Sequence, residues 1–113
     1  MVFAMVETVE SLANVEEIAA TPGLDGLFVG PSDLSITLSN GAGIDKLGAH
    51  TLAAMEKVAA AAKKNGLVAG AFGGSADVMK AYIKLGYTFF AAAVDVDLLH
   101  VGAAALMKAM REV

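Results

Sequence analysis

The sequence predicts an α/β domain of four strand–helix units, a parallel sheet with helices on its outer face. Three observations predict it. Four short segments are apolar at nearly every position, as in strands buried on both faces. Each is followed by a stretch with helical periodicity or high Ala content, and Gly, Pro or Asp punctuates the junctions. A βαβαβαβα alternation of this kind requires a parallel sheet with right-handed crossovers. A closed barrel and an open doubly wound sheet share this local pattern, so periodicity alone does not choose between them.

The first strand is expected at residues 2–6, Val-Phe-Ala-Met-Val, ended by Glu7 and Thr8. A helix follows over residues 9–20, with Val9, Leu12, Val15, Ile18 and Ala19 on one stripe. Thr21-Pro22-Gly23 stops it, because Pro does not continue a helix and Gly accepts unusual dihedrals. Asp25-Gly26 turns into a second strand at residues 27–29, with Gly30-Pro31-Ser32-Asp33-Leu34-Ser35 at its carboxyl end. Residues 36–47 read as a long, Gly-rich loop, a length often tied to function or mobility. An Ala-rich helix is expected at 52–64, closed by Lys63, Lys64 and Gly66. A third strand at 67–72 turns through Gly73-Gly74-Ser75 into a helix at 76–85, capped by Gly86. A fourth strand at 88–94 leads to a last helix at 98–111 that is apolar almost all round. Such a helix is usually buried or packed on another chain.

Composition narrows the function. With 113 residues the chain is one domain by expectation, well short of the roughly 250 residues of a complete eight-unit barrel. Its 57% hydrophobic content exceeds the usual value of about 45–50%, but much of the excess is Ala. No apolar run approaches the roughly 18 residues of a spanning helix. A net charge of −4, no Lys/Arg cluster and no Trp argue against a nucleic-acid surface. Without Cys, disulfides, zinc–thiolate sites and thiol catalysis are excluded. The first residues lack the charged region and full apolar core of a signal peptide, which leads us to expect a cytoplasmic protein.

Ligands of parallel α/β sheets gather at the carboxyl ends of the strands. Glu7 ends strand one and Asp33 follows strand two. Neighbouring strands are about 4.8 Å apart, so these two carboxylates can share one divalent cation. Hard oxygen ligands suit Mg²⁺ or Mn²⁺. The simpler reading is that Glu7 faces a helix dipole and Asp33 sits in a turn. Gly73-Gly74-Ser75 is either a small anion nest or a tight turn with Ser75 as helix cap. Asp95 and Asp97, after strand four, read mainly as caps.

Met5-Val6-Glu7-Thr8, Asn14 and the run Gly23-Leu24-Asp25-Gly26-Leu27-Phe28-Val29-Gly30-Pro31-Ser32-Asp33-Leu34-Ser35 together resemble the signature of the HpcH/HpaI (2-keto-acid) aldolases. Weaker matches at Asn65-Gly66, Gly73, Leu85-Gly86-Tyr87 and Val94-Asp95 extend the resemblance over essentially the whole chain. It implies the C-terminal (βα)4 half of a TIM (β/α)8 barrel of the phosphoenolpyruvate/pyruvate-binding type, one partial domain over residues 1–113. In that family a Glu after the fifth barrel strand and an Asp after the sixth hold the metal. The matching residues are Glu7 and Asp33, 26 positions apart. The resemblance further implies a carbon–carbon lyase that cleaves a 4-hydroxy-2-keto acid into pyruvate and an aldehyde, using Mg²⁺ or Mn²⁺ as Lewis acid. The substrate carboxylate is expected at the Gly30-Pro31-Ser32-Asp33 turn. There Ser32 and Asp33 offer N–H groups and Pro31, having none, shapes the turn.

The sequence also departs from the pattern. The family's acid/base His and its keto-acid-contacting Arg lie in the first half of the barrel, upstream of these residues. His50 and His100 read as surface or interface residues. Met5 stands where the family has Gln, and Gly48-Ala49-His50 does not reproduce its His-Pro. These departures motivate a second expectation, a catalytically silent, self-associating half-barrel. A third is a small open-sheet protein binding a phosphate-bearing ligand at its Gly-rich turns. A half-barrel exposes two sheet edges and an apolar inner face, so the expected partner is another copy or the remaining N-terminal half. The start inside a strand fits a piece of a longer barrel. The aldehyde partner, the preferred metal and the assembly number are not legible.

Overall fold

The computed structural model describes residues 1–112. Its elements run β1 (Phe3–Val6), α1 (Val9–Ala13), α2 (Val15–Ala19), β2 (Gly26–Val29), α3 (Pro31–Leu38), α4 (Ala49–Lys64), β3 (Val68–Phe72), α5 (Ala76–Lys84), β4 (Phe89–Ala91) and α6 (Asp95–Arg111). The four strands form one parallel sheet in the order β1-β2-β3-β4. The alternation expected from the sequence is therefore present, with each new strand added beside the last.

One face of the sheet meets the helices. Val6, Leu27, Val29, Ala69 and Ala71 alternate along the strands and are buried with Val15, Leu34, Met55, Val58 and Tyr82. Helix α4 supplies the centre of this layer. Its Ala54, Met55, Val58, Ala59, Ala61 and Ala62 recur at helical spacing and are all buried, and the small Ala side chains let it lie close on β2 and β3. Helix α5 buries Val78 and Tyr82, one turn apart. Tyr82 and Tyr87 then pack ring to ring at 5.8 Å, and the Tyr87 hydroxyl donates to the Met55 carbonyl at 2.9 Å.

The opposite face carries Phe3, Met5, Phe28, Phe72 and Phe89, and it resolves barrel against open sheet. The Phe3 and Phe89 rings stack with centroids 5.0 Å apart. They come from the first and last strands, which three inter-strand spacings would set about 14 Å apart in a flat sheet. The sheet is thus strongly curved, and this is its concave face. Two glycines make room for the rings. A side chain at Gly26 would run into the Phe3 ring and the Val68 carbonyl, and one at Gly70 would press on Phe28 and Phe89.

Three local expectations change, and a fourth stays open. Residues 9–20 are two short helices, because Asn14 turns its side-chain amide back to the Glu10 carbonyl at 3.0 Å and leaves helical dihedrals, as Asn commonly does. Residues 31–38, read as a turn and the start of a long loop, are a helix. Pro31 occupies the first helical position, where its missing N–H costs nothing, and the loop shrinks to residues 39–48. The fourth strand pairs over Phe89–Ala91 only. Helix α6, expected to be buried or packed on another chain, buries none of its residues within this one. Leu98, Leu99, Val101, Leu106 and Met110 are all exposed. The projecting helix helps raise the radius of gyration to 16.4 Å, against roughly 13 Å for a compact chain of this length. Among the described residues no helix is long and apolar enough to cross a membrane.

Candidate active site

Glu7 leaves β1 on the concave side, since its neighbour Val6 points into the helix layer and is fully buried. Its backbone is held from both directions. The Glu7 N–H donates to Ser11 Oγ at 3.2 Å, and the single Thr37 hydroxyl hydrogen is shared between the Leu34 carbonyl at 3.0 Å and the Glu7 carbonyl at 3.3 Å. Ser11 is itself fixed by a reciprocal capping box with Thr8 at the start of α1. Thr37 lies on α3, so the helix that carries Asp33 also holds the strand end that carries Glu7.

Asp33 sits in the first turn of α3, and Gly30 is the residue before that helix. A Cβ built on Gly30 would stand 2.6 Å from Glu7 Oε2 and 3.6 Å from Asp33 Oδ2. The two carboxylate oxygens therefore converge on one point above Gly30, and their separation cannot exceed the sum of those distances. Gly30 has φ −89°, which any residue can adopt, so the glycine is required by space and not by backbone conformation. The Glu7 side chain is half-buried, and the Asp33 side chain is exposed.

The backbone N–H groups of Ser32 and Asp33 open α3. The first bond of this helix runs from Leu34 N–H to the Gly30 carbonyl, and Pro31 has no N–H. These two donors have no partner within the helix, and the positive end of the helix dipole lies behind them. Chemically, the two carboxylates could hold a divalent ion, and the Ser32 and Asp33 amides could receive an anionic group. Among the described residues no third His, Cys, Asp or Glu joins the pair. A bound ion would therefore take two protein oxygens and complete its shell with ligand and water, an all-oxygen set that suits Mg²⁺ or Mn²⁺.

The other sequence candidates fall elsewhere. The Gly73 and Gly74 N–H groups donate to the Ala91 and Ala92 carbonyls and Ser75 accepts from Val78 N–H, so this turn is a strand continuation and a helix cap, not an open nest. Asp95 accepts from the N–H of Val96. His50 is exposed in the first turn of α4 and His100 is exposed on α6. A surface depression of about 480 Å³ runs along α1 and α2 and involves neither Glu7 nor Asp33. A smaller one of about 120 Å³, lined by Ser35, Asp45, His50 and Thr51 among others, lies where α3 approaches α4. The positioning roles of Ser11 and Thr37 escaped sequence reasoning. Thr8-x-x-Ser11 carries a capping signal, whereas nothing local marks Thr37.

Comparison with known proteins gives the family. The sequence matches the HpcH/HpaI aldolase/citrate lyase family over residues 1–101. It is 36% identical over 100 residues to the hydroxypyruvate/pyruvate aldolase of Rhizorhabdus wittichii, covering 88% of this chain and 40% of the relative. It is 34% identical to the 4-hydroxy-2-oxo-heptane-1,7-dioate aldolase of Klebsiella pneumoniae, covering 93% and 39%. The fold superposes on an HpcH/HpaI aldolase/citrate lyase family protein from Burkholderia cenocepacia with TM-score 0.86 and 34% identity, over 96% of this chain and 42% of that one. The chain spans about two fifths of the length of the curated relatives it matches. Its four parallel strand–helix units are a partial TIM-type barrel, and the chain belongs to the HpcH/HpaI aldolase/citrate lyase family.

Proposed function

We propose that this chain carries the metal- and keto-acid-binding half of a divalent-metal-dependent aldolase that cleaves a 4-hydroxy-2-keto acid into pyruvate and an aldehyde. The observation that carries the reading is the convergence of Glu7 and Asp33 over Gly30, together with the two N–H groups of α3 that have no partner within the helix. Glu7 and Asp33 would hold Mg²⁺ or Mn²⁺, and the Ser32 and Asp33 amides would receive the substrate carboxylate. A cation so held supplies Lewis acidity, drawing off the negative charge that develops on the keto oxygen as the carbon–carbon bond breaks. The protein's own part is orientation. Ser11 and Thr37 fix Glu7, and the α3 amides fix the carboxylate end, so the keto group meets the cation in one geometry.

Proton transfer is not among the tasks of these residues. Neither His50 nor His100 joins the carboxylate pair, and the family resemblance puts the acid/base His and the Arg in the first half of the barrel. The concave phenylalanines and the exposed apolar face of α6 favour association with that half or with further copies. Isothermal titration with Mn²⁺, with and without pyruvate, tests the assignment. The expected result is one site per chain whose affinity falls at least tenfold in both Glu7→Gln and Asp33→Asn. Unchanged Mn²⁺ affinity in either variant would refute it.

A further inference from the structure

Lys46 has no role in the site as described, yet the loop segment Asp45-Lys46 is anchored from three helices. It lies in the loop of residues 39–48. Three buried side chains pin that loop. The Tyr82 hydroxyl donates to the Lys46 carbonyl at 2.8 Å, Thr51 Oγ1 donates to the Asp45 carbonyl at 2.7 Å, and the Asp45 N–H donates to Ser35 Oγ at 3.1 Å. These anchors come from α5, α4 and α3, so the loop cannot move independently of any of them.

The side chain then crosses the carboxyl end of β3. Its Nζ stands 5.4 Å from the centroid of the Phe72 ring, within cation–π range. A Cβ on Gly74 would sit 3.3 Å from that Nζ and 3.2 Å from the ring, so this glycine leaves the ammonium its space. Lys57 donates to the Leu12 carbonyl and Lys64 pairs with Glu16. Lys80 and Lys108 pair with Asp77 and Glu112. Among the described residues Lys46 meets no carboxylate and donates no hydrogen bond, although it is half-buried. A partly desolvated ammonium held over an aromatic ring attracts an anion.

Strand register puts that anion beside the carboxylate pair. Val29 is opposite Ala71, so the next layer contains Gly30 and Phe72. Glu7 follows Val6, the partner of Val29, and completes the layer. Glu7, Gly30 and Phe72 therefore line the same end of the concave face, about one strand spacing of 4.8 Å per step. We infer that Lys46 is a specificity-determining residue that binds an anionic group, such as a second carboxylate, separated from the keto carbon of the substrate by two or three methylene groups. This rests on the keto-acid head lying at Glu7 and Asp33, as proposed above.

The test is calorimetric binding to the Mn²⁺-loaded 113-residue chain and needs no turnover. The probes are 2-oxoglutarate and 2-oxoadipate, compared with 2-oxopentanoate, which has the same chelating head and no second carboxylate. One charge-assisted contact predicts a preference for the diacids of roughly 5- to 10-fold. Lys46→Met keeps the apolar stem and should abolish the preference, leaving 2-oxopentanoate affinity unchanged, which also shows that the variant folds. Lys46→Arg should retain it. An absent preference in the parent chain, or one that survives in Lys46→Met, overturns the role of Lys46 while leaving the metal site intact. Failure of all three acids to bind in the presence of Mn²⁺ overturns the metal-site reading, and this inference with it.

Discussion

Adding one methyl group at Gly30 should separate ligand binding from folding. The new Cβ would stand 2.6 Å from Glu7 Oε2, where ordinary contact begins at 3.4 Å, so the carboxylate must retreat by about 0.8 Å. Metal ligands tolerate displacements of only about 0.2 Å. The retreat costs the fold little, because Oε2 is the free end of a flexible side chain and Gly30 already has negative φ. Replacing Gly by Ala at a compatible backbone position even returns about 0.4–1 kcal/mol through the unfolded chain. Gly30→Ala should therefore lose about 10- to 100-fold in Mn²⁺ affinity, the range seen when metal ligands are misoriented. Its unfolding free energy, measured by urea titration in EDTA, should stay within about 1 kcal/mol of the parent. Titration calorimetry reads the first quantity. Parental Mn²⁺ affinity in Gly30→Ala would refute the argument, because the carboxylates would then not converge above that glycine.

Packing and burial lead to other expected outcomes. Gly26→Ala should destabilise by about 1–3 kcal/mol or more, since its methyl meets the Val68 backbone carbonyl as well as the Phe3 ring. Gly70→Ala should cost less, since it meets mainly the movable Phe28 and Phe89 rings; urea midpoints give the order, and a reversed order would contradict the concave-face packing. Burial raises the Tyr82 phenol to about 12. It raises Tyr87 further, with the neighbouring Tyr82 adding to the effect. A phenol whose folded pKa exceeds the ordinary value of about 10 contributes stability fully below pH 10 and loses it as pH rises toward the folded value. Denaturation curves between pH 9 and 11.5 should therefore fall more steeply for the parent chain than for Tyr82→Phe/Tyr87→Phe, and parallel curves would show that these phenols are not shielded.

Much of this architecture is legible in the sequence because strands and helices announce themselves locally. Runs such as Val-Ala-Gly-Ala-Phe at residues 68–72 and the Ala-rich stretch of α4 mark the alternation, and it alone puts Glu7 and Asp33 at strand ends. The hidden features depend on residues far apart in the chain. Pro31-Ser32-Asp33 looks like a turn and is a helix start, since Pro suits both and the packing of Leu34 and Ser35 decides. The space above Gly30 is defined by Glu7, more than twenty residues earlier. The roles of Gly26 and Gly70 appear only when Phe3 and Phe89 meet across a curved sheet. Lys46 carries no signal in sequence, and only the buried hydroxyls of Thr51, Tyr82 and Ser35 reveal that its loop is anchored. Helix α6 teaches the opposite lesson: its all-round apolar character is plain in the sequence, yet among the described residues nothing buries it.

Glu7, Gly30 and Asp33, with the α3 amides, are the proposed chelating site of this chain. Thermal unfolding with Mg²⁺ and oxalate, a mimic of the enolate, tests it most directly. At 100 times the dissociation constant, linkage predicts about 2.7 kcal/mol of stabilisation, a rise in Tm on the order of 10 °C. The rise should require both Mg²⁺ and oxalate and should vanish in Asp33→Asn. No rise with Mg²⁺ and oxalate together, or an equal rise in Asp33→Asn, would contradict the account.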